Sequence, residues 1–566
     1  MSFTHRDESI LADTKKHTPL WKLPSAASVM RRVQPIENAS VAVRPTRLQI
    51  IVWLVLVALG LGLALRDYDS FQLGVFQDDA AYTILARSLV ESPTFGLINS
   101  PAQPSRGRYP IGFPLLLAPL VYFFPTQPDV LKLVSLAATL ATATLLFWGW
   151  HRFSRSTSHW WALALLALYL TFPSTVNLTR MVMSEAVFLA FCLAALFVAE
   201  RGRARPFHLR ELILLSILIF FVIFIRSVGL IFIPMLFAYL LLTRGRSAWR
   251  DLVLVSAGVF LVIGVVVAVT PIQPRDLIPT QYFNQFQEMS KTNQGLLKYP
   301  RRLATNLARY STVNLRQVVL PVGTGTIELN IANQLGVAWL PAVFGLAFSA
   351  LVIVGYWIWI RREGLALPWL FGLIYFLTLL LWPWPLDRFL YPIQPQIFLA
   401  IFFSIYTVFA WASTRWRISL HMRRAAIALV LIGFMLINIW RAWRIDSSQL
   451  HTGDLAQRTA WLAANAASTA HFLTEQPQTD FLYSGRHTLR YFSAPTPDAF
   501  YKRLQQNQIQ YVLIAPHLEW QSSYVPSYSN ATKRVLAQMQ ELTAAGRAQL
   551  VYEDRPNLIQ VYRILP

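Results

Sequence analysis

Asp78 and Asp79 stand side by side in Phe76-Gln77-Asp78-Asp79-Ala80-Ala81-Tyr82, and Glu185 follows in Met183-Ser184-Glu185-Ala186. These acids could move protons. Two adjacent carboxylates at a membrane surface repel unless they are solvated, cation-bound or partly protonated. Glu185 opens an apolar run, Ala186 to Ala199, that is short for a bilayer crossing, so its carboxyl falls close to or just within the apolar slab. A carboxylate there is costly enough to suggest a role. Arg108, Arg226 and Arg388 share the same side of the chain, and guanidinium forks suit phosphate. Plainer readings stand beside these. Asp78 is also a natural N-cap, Asp79 complements a helix dipole, and Ser184-Glu185 is again a capping pair. Each arginine could snorkel, and Asp387 could simply pair with Arg388.

Other chemistry has no foothold. There is no glycine-rich phosphate loop, zinc spacing or nucleophile elbow. His451, His471, His487 and His517 lie in the tail without metal-like spacing, and the single cysteine, Cys192, cannot form an intramolecular disulfide.

The elements that must position these side chains are membrane helices. Hydrophobic residues make up 55% of the 566 and charged residues 14%, against roughly 25% charged in soluble domains. A soluble enzyme and a disordered chain are both disfavoured. The formal net charge of +22 could announce a nucleic-acid binder, but the arginines fall between apolar runs, where they set membrane orientation. No nucleic-acid partner is therefore expected. Eleven runs have the character of spans: Leu48–Leu65, Leu133–Trp150, Trp160–Val176, Ala186–Ala199, Leu212–Ile225, Ser227–Thr243, Leu252–Thr270, Leu335–Ile360, Leu365–Trp382, Phe389–Trp411 and Ala425–Trp440. The proline-bounded segment Ile111–Phe124 is left out as re-entrant or interfacial, and Leu212–Thr243 is read as a hairpin with Arg226 at its turn. With that count, fifteen arginines fall in short loops on the N-terminal side and only Arg180, Arg226 and Arg388 in the short loops opposite. This bias predicts a cytoplasmic N-terminus and an extracytoplasmic C-terminus. Trp357, Trp359, Trp382 and Trp384 fit interfacial belts.

The expected fold is thus a polytopic α-helical membrane protein of about 11 transmembrane helices with outer-face juxtamembrane helices, plus a small C-terminal soluble α/β domain. Residues 1–47 form a mobile, basic cytoplasmic arm. Residues 48–443 form the transmembrane domain, with a first outer loop at 67–132 and a long outer loop at 271–334, in which Lys298, Arg301, Arg302 and Arg309 line an interfacial helix. Residues 444–566 form the outer domain, with strands at Phe481–Tyr483, Tyr511–Ile514, Leu550–Tyr552 and Leu558–Ile564 between helices near 454–475, 497–508 and 531–545. The segment from Asp78 to Val90, with Ala81, Ile84, Leu85, Ser88 and Leu89 on one face, reads as an amphipathic helix lying on the outer surface.

The order Asp78-Asp79, Tyr82 and Ala86-Arg87, then Arg108-Tyr109-Pro110-Ile111-Gly112-Phe113-Pro114, Met183-Ser184-Glu185 and Arg388-Phe389-Leu390-Tyr391-Pro392 resembles the GT-C superfamily of membrane glycosyltransferases. Within it, the chain resembles the bacterial branch with the lipid A aminoarabinose transferases and the protein O-mannosyltransferases. The resemblance covers roughly residues 48–411, and no single motif is specific; the order and shared sidedness are. It implies a polyprenyl-phosphate-linked sugar donor and a lipid, glycan or protein acceptor on the extracytoplasmic face of the membrane, here the bacterial inner membrane. It implies Asp78 as the base, Glu185 assisting, and transfer with inversion. Asp79, Tyr82, Arg108, Tyr109, Arg226, Arg388 and Tyr391 would bind substrate, with Arg108, Arg388 and Arg226 stabilising the departing lipid phosphate. Tyr109 stands where some relatives carry lysine, and Asp79 where many carry glutamate. Some members use a divalent cation, which Asp78 and Asp79 could help hold, although two acids are too few to argue for one. The competing expectation is a polytopic transporter or lipid flippase with a periplasmic domain.

Overall fold

The computed structural model describes residues 44–566 except 71, 101–108, 126, 150–158, 278–297, 320–338, 364–365, 384, 445–454 and 518–526. The basic arm before residue 44 and Arg108 lie outside the described residues.

Helix α1 (Arg47–Leu65) opens on a capping box: Thr46 Oγ1 accepts the Gln49 N–H at 3.3 Å while the Gln49 side chain accepts the Thr46 N–H at 2.9 Å. At its other end the carbonyls of Leu63 and Ala64 accept from the buried guanidinium of Arg180, whose Nε lies 3.0 Å from Ala64 O. A helix end would otherwise leave those acceptors unsatisfied. Helix α2 (Asp78–Glu91) follows, and here the surface-helix expectation is corrected. Asp79 through Ala86 are all buried, not one face only, because α3 (Gly112–Phe123) covers one side and the C-terminal domain another. With 12 residues and Pro119 inside it, α3 spans about 18 Å and cannot cross a bilayer.

Next come α4 (Lys132–Trp148), α5 (His159–Thr171) and α6 (Pro173–Thr179), the last two bent by 64° at a break marked by Pro173. Helices α7 (Ser184–Arg201) and α8 (Leu209–Ile225) pack side by side. Their ends are matched by charge. At one end Glu211 meets Arg205 at 2.7 Å and Arg201 at 3.3 Å; at the other, Glu185 meets Arg226 at 2.8 Å. Helix α8 stops at Ile225, and Arg226 takes an extended conformation (φ −146°, ψ 131°) before a 3-10 turn, so a break does fall at this charge in an apolar stretch.

Helices α9 (Phe232–Arg244) and α10 (Trp249–Val269) are separated at Gly245, whose φ of +60° favours glycine. Helix α11 (Lys298–Arg309) exposes Arg301 and Arg309, and its Asn306 donates to the carbonyls of Leu380 and Trp382 at 2.9 and 2.7 Å. The rest of the bundle is α12 (Leu340–Glu363), α13 (Leu367–Leu381), α14 (Gln394–Arg415) and α15 (Leu420–Arg444). Trp359, expected at the membrane interface, is buried and stacked on Trp369 with ring centroids 4.5 Å apart; Trp357 is exposed.

Among the described residues, six helical stretches are long and apolar enough to cross a membrane, seven if the bent α5–α6 pair is one span. The chain is an integral membrane protein. The eleven runs seen in sequence map onto fewer qualifying stretches for physical reasons. Helix α7 carries Glu185, Glu200 and Arg201, while α8 and α13 have only 17 and 15 residues. Ser227–Val269 counts once although its 43 residues, at 1.5 Å each, measure about twice the ~30 Å hydrocarbon core.

The C-terminal domain, whose first described helix is α16 (Leu455–Asn465), is an α/β unit. Its sheet has the order β2-β1-β3-β5-β4, with β1 (His471–Thr474), β2 (His487–Arg490) and β3 (Tyr511–Ile514) parallel, and β4 (Ala548–Asp554) and β5 (Ile559–Ile564) joined antiparallel. One sheet face buries Leu473, Val512 and Ile514 against Phe500, Leu504 and Met539; the other buries Phe472, Leu513 and Val561 against Leu462. Two expectations fail here. Phe481–Tyr483 belongs to a helix, α17 (Pro477–Ser484), that starts on a proline and ends at Gly485 with φ +65°, and the expected helix over 454–475 ends at Asn465 and gives way to β1. The four-residue strands β1 and β2 show too little alternation to be read, whereas β3 falls where the sequence places a strand, at Tyr511–Ile514.

Candidate active site

Local backbone geometry aims the two aspartates differently. Gln77 takes a positive φ of 58° and Gly74 one of +105°, which turns the chain sharply into α2. Asp79 points back into that turn, its Oδ2 accepting the Gly74 N–H at 2.6 Å and its Oδ1 the Ala80 N–H at 2.9 Å. It is 3% exposed. Burial pushes its carboxyl up to about 7; the backbone N–H groups pull the other way, and the charge of Asp78 pushes further up.

Asp78 faces the opposite direction and is partly open to solvent. Tyr109 donates its hydroxyl to Asp78 Oδ1 at 2.6 Å, and Arg388 Nη2 donates to Oδ2 at 2.9 Å. Gln77, not Asp78, occupies the N-cap position, so the capping reading of Asp78 does not hold.

Glu185 lies in the first turn of α7, whose N-cap residue is Met183. The carboxylate is buried and faces two guanidinium groups, Arg226 Nη1 at 2.8 Å and Arg388 Nε at 3.9 Å. Arg388 belongs to the 3-10 turn Asp387–Ile393, so it reaches both acids from a third element. Among the described residues Asp387 accepts the backbone N–H of Arg388 at 2.9 Å, while the guanidinium faces Asp78 and Glu185 instead. Ser184 Oγ lies 3.0 Å from Arg226 Nη1 and 3.1 Å from the Tyr82 hydroxyl. The Phe389 ring sits beneath both arginines at 5.4 Å.

Asp78, Tyr82, Tyr109, Glu185, Arg226 and Arg388 therefore come together, drawn from segments up to 310 positions apart. Tyr391 does not join the acids. It is buried against α5 with its hydroxyl 2.8 Å from that of Tyr169. Ser184, read from sequence as a cap, turns out to link Tyr82 with Arg226, a relationship with no sequence signal. Two buried atoms of the cluster, Glu185 Oε2 and Arg388 Nε, have no hydrogen-bond partner among the described residues. The arrangement offers a half-open carboxylate able to take a proton and two guanidinium groups able to face an anion. Among the described residues no three His, Cys, Asp or Glu side chains gather to hold a metal ion. Asp78 and Glu185 each already face a guanidinium, a poor setting for a cation.

The C-terminal domain grips the turn that carries the aspartates. Thr479 donates its hydroxyl to Gly74 O at 2.8 Å, Tyr483 donates to Leu73 O at 2.8 Å, and the Leu455 N–H donates to Gln72 Oε1 at 2.9 Å. Gly74 has no room for a side chain, since a Cβ would stand 2.8 Å from Thr479 Cγ2.

No family model and no curated protein matches the sequence. Solved structures do match in shape. The oligosaccharyltransferase of Archaeoglobus fulgidus in its apo form aligns with a TM-score of 0.53 at 11% identity, covering 82% of this chain and 69% of that one. ArnT from Cupriavidus metallidurans bound to undecaprenyl phosphate aligns with a TM-score of 0.52 at 13% identity, covering 90% of this chain and 97% of that one. The chain shares its overall fold with these two structures. Within this fold, the Asp78–Arg388–Glu185–Arg226 cluster marks the place where the start of α2, the start of α7, the end of α8 and the turn before α14 converge.

Proposed function

We propose that this protein is a membrane glycosyltransferase that moves a sugar from a polyprenyl-phosphate-linked donor to a lipid, glycan or protein acceptor on the extracytoplasmic face, with inversion. The observation that carries the reading is the single guanidinium of Arg388 standing between Asp78 at 2.9 Å and Glu185 at 3.9 Å. The undecaprenyl phosphate bound by ArnT, which shares the fold over 90% of this chain, supports the donor class.

Asp78 takes the proton of an acceptor hydroxyl as its oxygen attacks the anomeric carbon. A carbon–oxygen bond forms on one face while the bond to the lipid phosphate breaks on the other, which inverts the configuration. The leaving phosphate carries away the electron pair and is met by Arg388 and Arg226. Their pairing with Asp78 and Glu185 keeps both cations in place without substrate, and Glu185 holds Arg226 at the buried side. The bundle continues through about eleven crossings, with α7 and α8 running between charge clusters at opposite faces. Paired ionisable residues at helix ends, rather than at midplane, favour this reading over a transporter. The test is transfer by purified full-length protein from polyprenyl-phosphate sugars, with the anomeric configuration of the product read by NMR. A panel of such donors that all remain intact beside acceptor would sink the proposal.

A further inference from the structure

A cavity of about 180 Å³ lies between the first outer loop, which contributes Gln77, Leu97, Asn99 and Ser100, and the C-terminal domain, which contributes Gln478 and Arg490 among others. It is smaller than the ~300 Å³ at the low end of drug-sized sites, so it admits one ring rather than a lipid tail. Its position is informative: Gln77 lines it, and the next residue is Asp78.

The hydrogen bonds fix how Asn99 is oriented. Thr488 gives its hydroxyl proton to Pro477 O at 2.7 Å, so toward Asn99 both its Oγ1 and its carbonyl can only accept. The Asn99 amide nitrogen donates to them at 3.1 and 3.4 Å. Asn99 Oδ1 must therefore face the other way. It is buried without a donor among the described residues, on a residue 4% exposed, a state that native structures rarely leave uncompensated. At the other side, Arg490 ends β2 exposed and makes no ion pair among the described residues. A buried acceptor, an available guanidinium and an apolar wall at Leu97 match a ring with a hydroxyl to give and a negative charge to place.

We propose that this cavity binds an acidic sugar ring of the acceptor, anchoring it beside the hydroxyl that Asp78 deprotonates. The inference rests on the glycosyl-transfer reading. A ring hydroxyl donates to Asn99 Oδ1, its carboxylate accepts from Arg490, and the domain contact is thereby part of acceptor selection as well as of structure.

Ligand-observed NMR on the full-length protein in lipid nanodiscs tests this with glucuronate, glucose and inorganic phosphate. Saturable glucuronate binding is expected, about tenfold tighter than glucose, with Arg490→Gln reducing glucuronate to the level of glucose. Asn99→Leu should weaken both sugars, and Asn99→Ser, which keeps a hydroxyl for Thr488, serves if the leucine variant loses its fold. Unchanged glucuronate binding in Arg490→Gln overturns the proposal, as does phosphate displacing glucuronate while glucose shows no binding, since that leaves an anion site only. The two readings fail separately. Transfer that depends on Asp78 without any glucuronate binding removes the cavity and keeps the enzyme, whereas Arg490-dependent binding without transfer from any donor does the reverse.

Discussion

Arg388 donates to Asp78 at 2.9 Å although 310 positions separate them in the chain. The bond brings an acid at the start of α2 and a cation before α14 into one place, and it is only partly shielded from solvent. Such an exposed pair adds little to stability, about 1 kcal/mol at most, so its value lies in positioning.

Asp78→Asn should accordingly separate catalysis from folding. The amide keeps the shape and can still accept from Arg388 but cannot take a proton, so turnover should fall by about 10² to 10⁴-fold. The melting temperature should stay close to that of the parent. Donor-to-acceptor transfer and thermal unfolding, measured on the same preparation, check it; wild-type turnover would remove Asp78 from the reaction.

Arg226 behaves differently because its partner Glu185 is only 1% exposed. Arg226→Ala leaves a buried carboxylate with Arg388 at 3.9 Å as its remaining ion pair, a change expected to cost about 3–5 kcal/mol. Arg226→Lys should recover much of that stability but not the hydrogen bond to Ser184. Chemical or thermal unfolding in detergent gives the comparison, and equal stability of the alanine variant and the parent would contradict the pairing.

Gly74→Ala should disturb the turn beneath both aspartates. The added methyl meets Thr479 Cγ2 at 2.8 Å and φ is +105°, an unfavourable value for alanine, so about 1–3 kcal/mol of local strain is expected. Thr479→Val removes only the hydroxyl bond to Gly74 O and should cost about 1 kcal/mol. Hydrogen exchange over residues 72–80 should accelerate in both, more in the first.

Asp79 supplies a pH dependence whose sign follows from its environment. Its carboxyl is pushed up to about 7 by burial, against ~3.9 in an unfolded chain. The folded protein therefore binds a proton that the unfolded chain releases. The stabilisation is complete below about pH 4 and is lost as pH rises through about 7. Melting temperatures of the parent should decline relative to Asp79→Asn across that window, and parallel curves would show that Asp79 is ionised in the fold at all these values.

Much of this site could be read from sequence because charge is scarce in an apolar chain. Glu185 and Arg226 stand beside or within long apolar runs, where unpaired ions are untenable, so finding them joined at 2.8 Å follows from the composition itself. The same logic places the break at Arg226. Asp79 stands out in the sequence, but its place in the turn is not legible there, because its partners are backbone N–H groups in a turn set by Gly74 and Gln77, and a sequence does not display φ. Tyr391 lies near Arg388 in sequence, but its hydroxyl meets that of Tyr169, a choice made by helix packing. Thr479 and Gly74 are 405 positions apart, and only the docking of the whole C-terminal domain brings them into contact.

The two charge clusters bounding α7 have a consequence for the lipid itself. Eighteen residues at 1.5 Å place them about 27 Å apart, so under the proposed topology, in which α7 crosses the bilayer, the helix acts as a fixed gauge with an ionic stop at either end. Phospholipids of matching acyl length should leave both stops in the headgroups, while longer chains would drag one of them into oil. Reconstitution across a series of acyl lengths should then give an optimum for thermal resistance near the length that fits the gauge.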